Sequence, residues 1–191
     1  MFPVYFKLGL EHILNISAYD HILFLVALCA MYASTEWKKI LILVTAFTIG
    51  HSITLALSSL GIITLNTKLV EILIPFTIFI TAVGNLLAKP NPKQLWNANY
   101  FLALFFGFVH GMGFSNYFKA LLGHEANIIT PLLGFNLGVE VGQLCIVLII
   151  MLLNYLVVGI GKVKQQQWKI MVSILAAILS AYMVWIRLLH T

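Results

Sequence analysis

Six stretches of this chain, near residues 19–35, 39–60, 68–88, 98–119, 129–158 and 168–189, are almost continuously apolar. Crossing the hydrocarbon takes about 20 apolar residues in a helix, so each stretch predicts one membrane-spanning helix. Charge content agrees. Charged residues are 9% of 191, against about 25% in a soluble domain, whose surface must face water. With a mean hydropathy of +1.01, lipid is the main solvent. The expected fold is all-α, a polytopic transmembrane helix bundle forming one domain over 1–191. Residues 1–18 stand apart. They hold an apolar stretch that carries Lys7, Glu11 and His12 and is too short to cross, which suggests an interfacial or re-entrant segment. Met1 to Phe6 lack the basic start of a cleavable signal peptide, so the mature protein is expected to keep them.

A net charge of +5 does not point to nucleic acid, because the lysines sit in short gaps between apolar runs, where they orient a membrane protein. Lys38, Lys39, Lys89, Lys93, Lys162, Lys164 and Lys169 fall in loops one, three and five. Lys7, Lys68, Lys119 and Arg187 fall on the other side. Seven against four puts loops one, three and five in the cytoplasm and both termini outside. Cys29 and Cys145 lie inside apolar runs and read as small apolar residues. The tryptophans fall mostly near span ends, as in an interfacial belt.

Ionisable groups inside a spanning helix are costly, and they usually serve function. Here they are few. His12, Asp20 and His21 lie at or near the outer end of the first span, His51 and His110 near the middle of the second and fourth, and Glu140 near the middle of the fifth. Glu71 opens the third. Asn136, Glu140 and Gln143 follow an i, i+4, i+7 spacing and share one helical face. Gly134, Gly138 and Gly142 form a second stripe that lets a neighbouring helix come close. Gly50 and Ser52 flank His51, while Gly107, Gly111 and Gly113 surround His110.

Imidazole with carboxylate suits borderline divalent ions such as nickel, cobalt and zinc, with copper(II) a further candidate. Asn136 and Gln143 would orient ligands or act as weak ligands. His124 and Glu125 in the outer loop are solvated residues or a capturing pair at the mouth. His190 at the C-terminus carries no expected role.

Several stretches resemble the HupE/UreJ family of small membrane proteins, in its shorter second branch. They are Gly9-Leu10-Glu11-His12 running on to Asp20-His21, then Gly50-His51-Ser52, Gly107-Phe108-Val109-His110-Gly111, and Gly134-Phe135-Asn136-Leu137-Gly138-Val139-Glu140. The resemblance covers most of residues 9–145, and the last helix matches only in character. It implies a nickel or cobalt permease of a bacterial inner membrane, serving a metalloenzyme maturation system, with His12, Asp20, His21, His51, His110 and Glu140 as the metal path. Two positions depart from the family pattern. Seven residues separate His12 from Asp20, where five are usual. In a continuous helix the extra two would rotate His12 by about 200°. Either Asn15 to Ala18 form a bulge that restores the geometry, or His12 is not a ligand. In the third span Gly84 precedes Asn85, where many relatives carry Glu.

The expected function is therefore permeation of a divalent metal ion, with the ion as substrate and membrane lipid as the other partner. Asp20 and His21 would hand the ion to His51, His110 and Glu140, with release past Asn85. Ser52 and Glu71 would support the path. The alternative is an enzyme, a zinc-dependent hydrolase acting on a lipid with Glu140 as general base. A third reading is an accessory protein whose polar residues only set helix packing.

Overall fold

The computed structural model describes residues 1–16, 19–63, 66–88, 92–123 and 127–189, with the backbone alone for 92–98. Among them the chain is helical and contains no strand. Seven α-helices follow in order: α1 (Phe2–Leu14), α2 (Tyr19–Cys29), α3 (Trp37–Ser59), α4 (Thr67–Leu87), α5 (Pro92–Leu122), α6 (Ile129–Asn154) and α7 (Gln165–Leu189). A 3-10 turn, Ser34–Glu36, leads into α3, and a π-helical stretch, Tyr155–Ile160, extends α6.

Five helices are long and apolar enough to cross a membrane, and α1 with α2 make a sixth if the pair is one broken span. The protein is an integral membrane protein. The expected first span at 19–35 is corrected here. Its helix ends at Cys29 after 11 residues, and 1.5 Å per residue gives about 16 Å, half of what the hydrocarbon needs. The N-terminal segment forms α1, which meets α2 at 69°, the geometry of a broken span or a re-entrant loop, and packs along α6.

Glycine contacts set the architecture. The most extensive helix pairs are α3 with α5, α1 with α6 and α4 with α7. In the first two the contact is reciprocal. A Cβ added to Gly9 would collide with the Phe135 carbonyl, and one added to Gly138 with the Phe6 carbonyl. Likewise Gly50 lies on the Leu104 carbonyl and Gly107 on the Phe47 carbonyl. Each of these four helices carries the glycine three residues after a large apolar residue: Phe6, Phe47, Leu104 or Phe135. Backbone touches backbone in both pairs, and such proximity strengthens dispersion where lipid removes the hydrophobic drive between helices.

The third pair is joined differently. Pro75 inside α4 has no N–H to give the carbonyl one turn earlier, which is that of Glu71. Arg187 on α7 donates to that carbonyl at 3.2 Å, with the Glu71 carboxylate 3.9 Å away. Glu71, expected to support the path, thus ties α4 to α7.

Loops one, three and five lie at one end of the bundle. Ser34 N–H donates to Asn154 Oδ1, Gln165 Nε2 donates to the Tyr32 carbonyl, and Lys169 Nζ reaches the Ala88 carbonyl at the end of α4. Trp37 and Trp185 are exposed as belt residues should be, whereas Trp168 is buried against Ala30 and Val172. The side chain of Trp96, together with His124, Glu125 and His190, falls outside the described residues.

Candidate metal pathway

Four histidines from four helices meet in the bundle. α1 contributes His12, α2 His21, α3 His51 and α5 His110. Ring centroids are 4.7 Å apart for His12 and His21, 5.0 Å for His21 and His110, and 6.4 Å for His12 and His51. The order His51, His12, His21, His110 is a string of neighbouring imidazoles. His21, His51 and His110 are at most 6% exposed, and His12 is half-buried.

The break between α1 and α2 makes this meeting possible. Helix α1 ends at Leu14 with Asn15 in an extended conformation (φ −68°, ψ 114°). The chain thus changes direction between His12 and Asp20 instead of carrying His12 round the helix axis. Two separate helices stand where a bulge in one helix was expected, and the His12 ring stands beside His21.

These imidazoles are poor in partners. Six buried ring nitrogens have no hydrogen bond: Nε2 of His12, His21 and His51, Nδ1 of His21, and both nitrogens of His110. A buried polar group without a partner is expensive, so this concentration makes the string the candidate site. Among the described residues, no three His, Cys, Asp or Glu side chains are already arranged as a metal site. Phenyl rings enclose the string. Phe114 is 4.1 Å from His12, Phe47 5.2 Å and Phe24 5.5 Å from His110, and Phe135 6.1 Å from His51.

Two imidazoles are oriented by neighbours. Asn136 Nδ2 donates to the Leu132 carbonyl at 2.8 Å, which turns its Oδ1 toward His51 Nδ1 at 3.2 Å. An amide oxygen can only accept, so His51 carries its proton on Nδ1 and its lone pair on Nε2. Asp20 Oδ1 accepts from the His21 backbone N–H at 2.8 Å and lies 2.8 Å from His21 Nδ1. That ring contact is a charge contact without a straight hydrogen bond, since His21 Nδ1 is among the unpartnered atoms.

The other expected residues lie along the seam between α3 and α6. Glu140 Oε1 accepts from Thr45 Oγ1 at 2.8 Å, and Gln143 Oε1 accepts from Thr48 Oγ1 at 2.9 Å. The Glu140 carboxylate thus meets a threonine hydroxyl across the seam. With Thr45, Ser52 and Asn136 it lines a hollow of about 280 Å³. Ser52 Oγ donates to the Thr48 carbonyl of its own helix. Asn85 Nδ2 donates to the Ala27 carbonyl at 2.7 Å, joining α4 to α2.

A family model described as HupE / UreJ protein matches residues 1–188. The chain belongs to the HupE/UreJ family. Membership supports a metal transporter in general. No curated protein and no solved structure matches the chain. In this HupE/UreJ protein the sequence reading missed Thr45 and Thr48, although 45, 48 and 52 repeat at the spacing of one α3 face. It also missed the phenyl enclosure, because single Phe residues in apolar helices carry no local signal.

Proposed function

We propose that the protein is a permease for a divalent transition-metal ion, nickel foremost, with His12, Asp20, His21, His51 and His110 as its path. The observation that carries this reading is the string of four imidazoles with six buried, unpartnered nitrogens. Imidazole nitrogen and one carboxylate suit nickel, cobalt and zinc. Neutral imidazole binds through a lone pair, and the Asn136 contact leaves His51 offering Nε2, as orienting neighbours of metal ligands do.

The ion enters where the string is most open, at half-buried His12 and Asp20, whose side chain is 16% exposed. Asp20 supplies the negative charge that offsets desolvation of a dication. His21 then receives the ion and His51 and His110 hold it deeper, inside the phenyl enclosure. The lysine count puts the opposite, loop-bearing end in the cytoplasm of a bacterial inner membrane. Movement inward follows the membrane potential, worth about 2.3 kcal/mol per charge for each 100 mV.

A lipid hydrolase is less well supported. A lipid substrate entering between α3 and α6 would meet Glu140, Thr45 and Asn136. Asn136 occupies the nitrogen of His51 that faces it, so no imidazole lone pair is offered there.

The test is nickel and zinc entry into sealed proteoliposomes with an internal metal dye, comparing wild type with His110→Ala. Entry that depends on His110 supports the permease, and the faster ion names the substrate. Tightly held metal without entry would refute it in favour of a metalloenzyme.

A further inference from the structure

The lipid-facing side of the α3/α6 seam is an open trough. At one end Ser34, Trp37 and Tyr155 frame a cavity of about 540 Å³ that continues inward past Leu41, Leu144 and Leu148. Leu41 also borders a second hollow of about 230 Å³ on the α5 side of α3, where Thr45 and Ile49 stand with Tyr100. Those two residues in turn border the hollow beside Glu140. From Trp37 to Ile49 the helix rises about 18 Å, close to one leaflet of a hydrocarbon core about 30 Å thick.

The mouth and the interior differ in chemistry. Inside, the walls are leucine. At the mouth stand a hydroxyl and two aromatic rings of the kind that sit at the membrane interface. Lys38 adds a charge, its Nζ 5.6 Å above the Trp37 ring. Lys39 is neutralised by Glu36 at 2.6 Å, whereas Lys38 makes no ion pair among the described residues. The mouth also lies at the end of the bundle that carries loops one, three and five, where Ser34 meets Asn154.

We propose that this trough binds an anionic phospholipid, its phosphate on Lys38 and one acyl chain along Leu41, Leu144 and Leu148. An apolar trough accepts any acyl chain, and the unpaired lysine selects the net negative headgroup. Trp37 and Tyr155 flank the junction between headgroup and chain. The site is independent of the metal path.

Native mass spectrometry of the full chain, extracted from vesicles of equimolar phosphatidylglycerol and phosphatidylcholine, tests this. Wild type should retain phosphatidylglycerol in preference. Lys38→Glu, which reverses the charge, should lower that preference by more than roughly fivefold, the value of removing one lysine at a charged surface. Leu148→Trp, which fills the trough, should displace lipid of either kind. Equal retention of the two lipids, or a preference unchanged in Lys38→Glu, overturns the proposal. So does a dimer that Leu148→Trp dissociates, since a second copy would then be the occupant. His110→Ala should retain lipid as wild type does, so failure of the transport reading and failure of this one are distinguishable.

Discussion

Replacing Asn136 by leucine keeps the side chain's approximate size and removes the acceptor that fixes His51. Two hydrogen bonds go, one to His51 Nδ1 at 3.2 Å and one to the Leu132 carbonyl at 2.8 Å. The second costs little, because it lies within α6 and the carbonyl keeps its place in the helix ladder. The first joins two helices, and interhelical hydrogen bonds in membranes average about 0.6 kcal/mol with a maximum near 1.7. Metal affinity should suffer more. Losing a neighbour that orients a ligand typically weakens metal binding about 10- to 100-fold, or about 1.4 to 2.7 kcal/mol. The imidazole is then free to place its proton on Nε2, the nitrogen left without a partner. Nickel titration calorimetry on detergent-solubilised protein reads the affinity, and ¹⁵N spectra of labelled histidine read the tautomer. An affinity within threefold of wild type, with the His51 spectrum unchanged, would refute the reasoning. A stability loss larger than the affinity loss would assign Asn136 to packing instead.

Four further outcomes are expected. Glu140→Gln should lower nickel affinity by less than about tenfold, since an amide oxygen still accepts from Thr45 and the imidazole string is untouched; calorimetry beside the Asn136 variant checks this. Gly138→Leu should destabilise the fold by the upper part of the roughly 1–3 kcal/mol of overpacking, because the added Cβ meets the Phe6 carbonyl. Gly84→Ala, with nothing within 4 Å, should be neutral or slightly stabilising in the same thermal melts. Arg187→Ala should strip the Glu71 carbonyl of the partner it needs above Pro75 and cost about 0.6–1.7 kcal/mol, with Arg187→Lys recovering part, as read by thermal unfolding in detergent.

Five of the spans were legible in the sequence because lipid imposes one rule on every residue of a run. Helices α3, α4 and α7 begin and end within three residues of expectation, as do α6 taken with its π-helical extension to Ile160 and the apolar run of α5. The first span could not be read this way. Nothing in the run 19–35 announces that α2 stops at Cys29, because a helix end inside an apolar stretch depends on what packs beyond it. Histidine and carboxylate in such runs were legible as candidates for the same reason: each is costly wherever it lies in lipid. Which of them meet is a property of helix rotation and tilt. Reciprocal contacts at Gly9, Gly50, Gly107 and Gly138 set both, pressing α1 on α6 and α3 on α5, and the turn after Leu14 swings His12 onto His21. The same packing leaves Glu140 facing Thr45 and Glu71 facing Arg187. Side-chain identity thus marks the polar residues in the membrane, while backbone contact between distant helices decides which of them form one site.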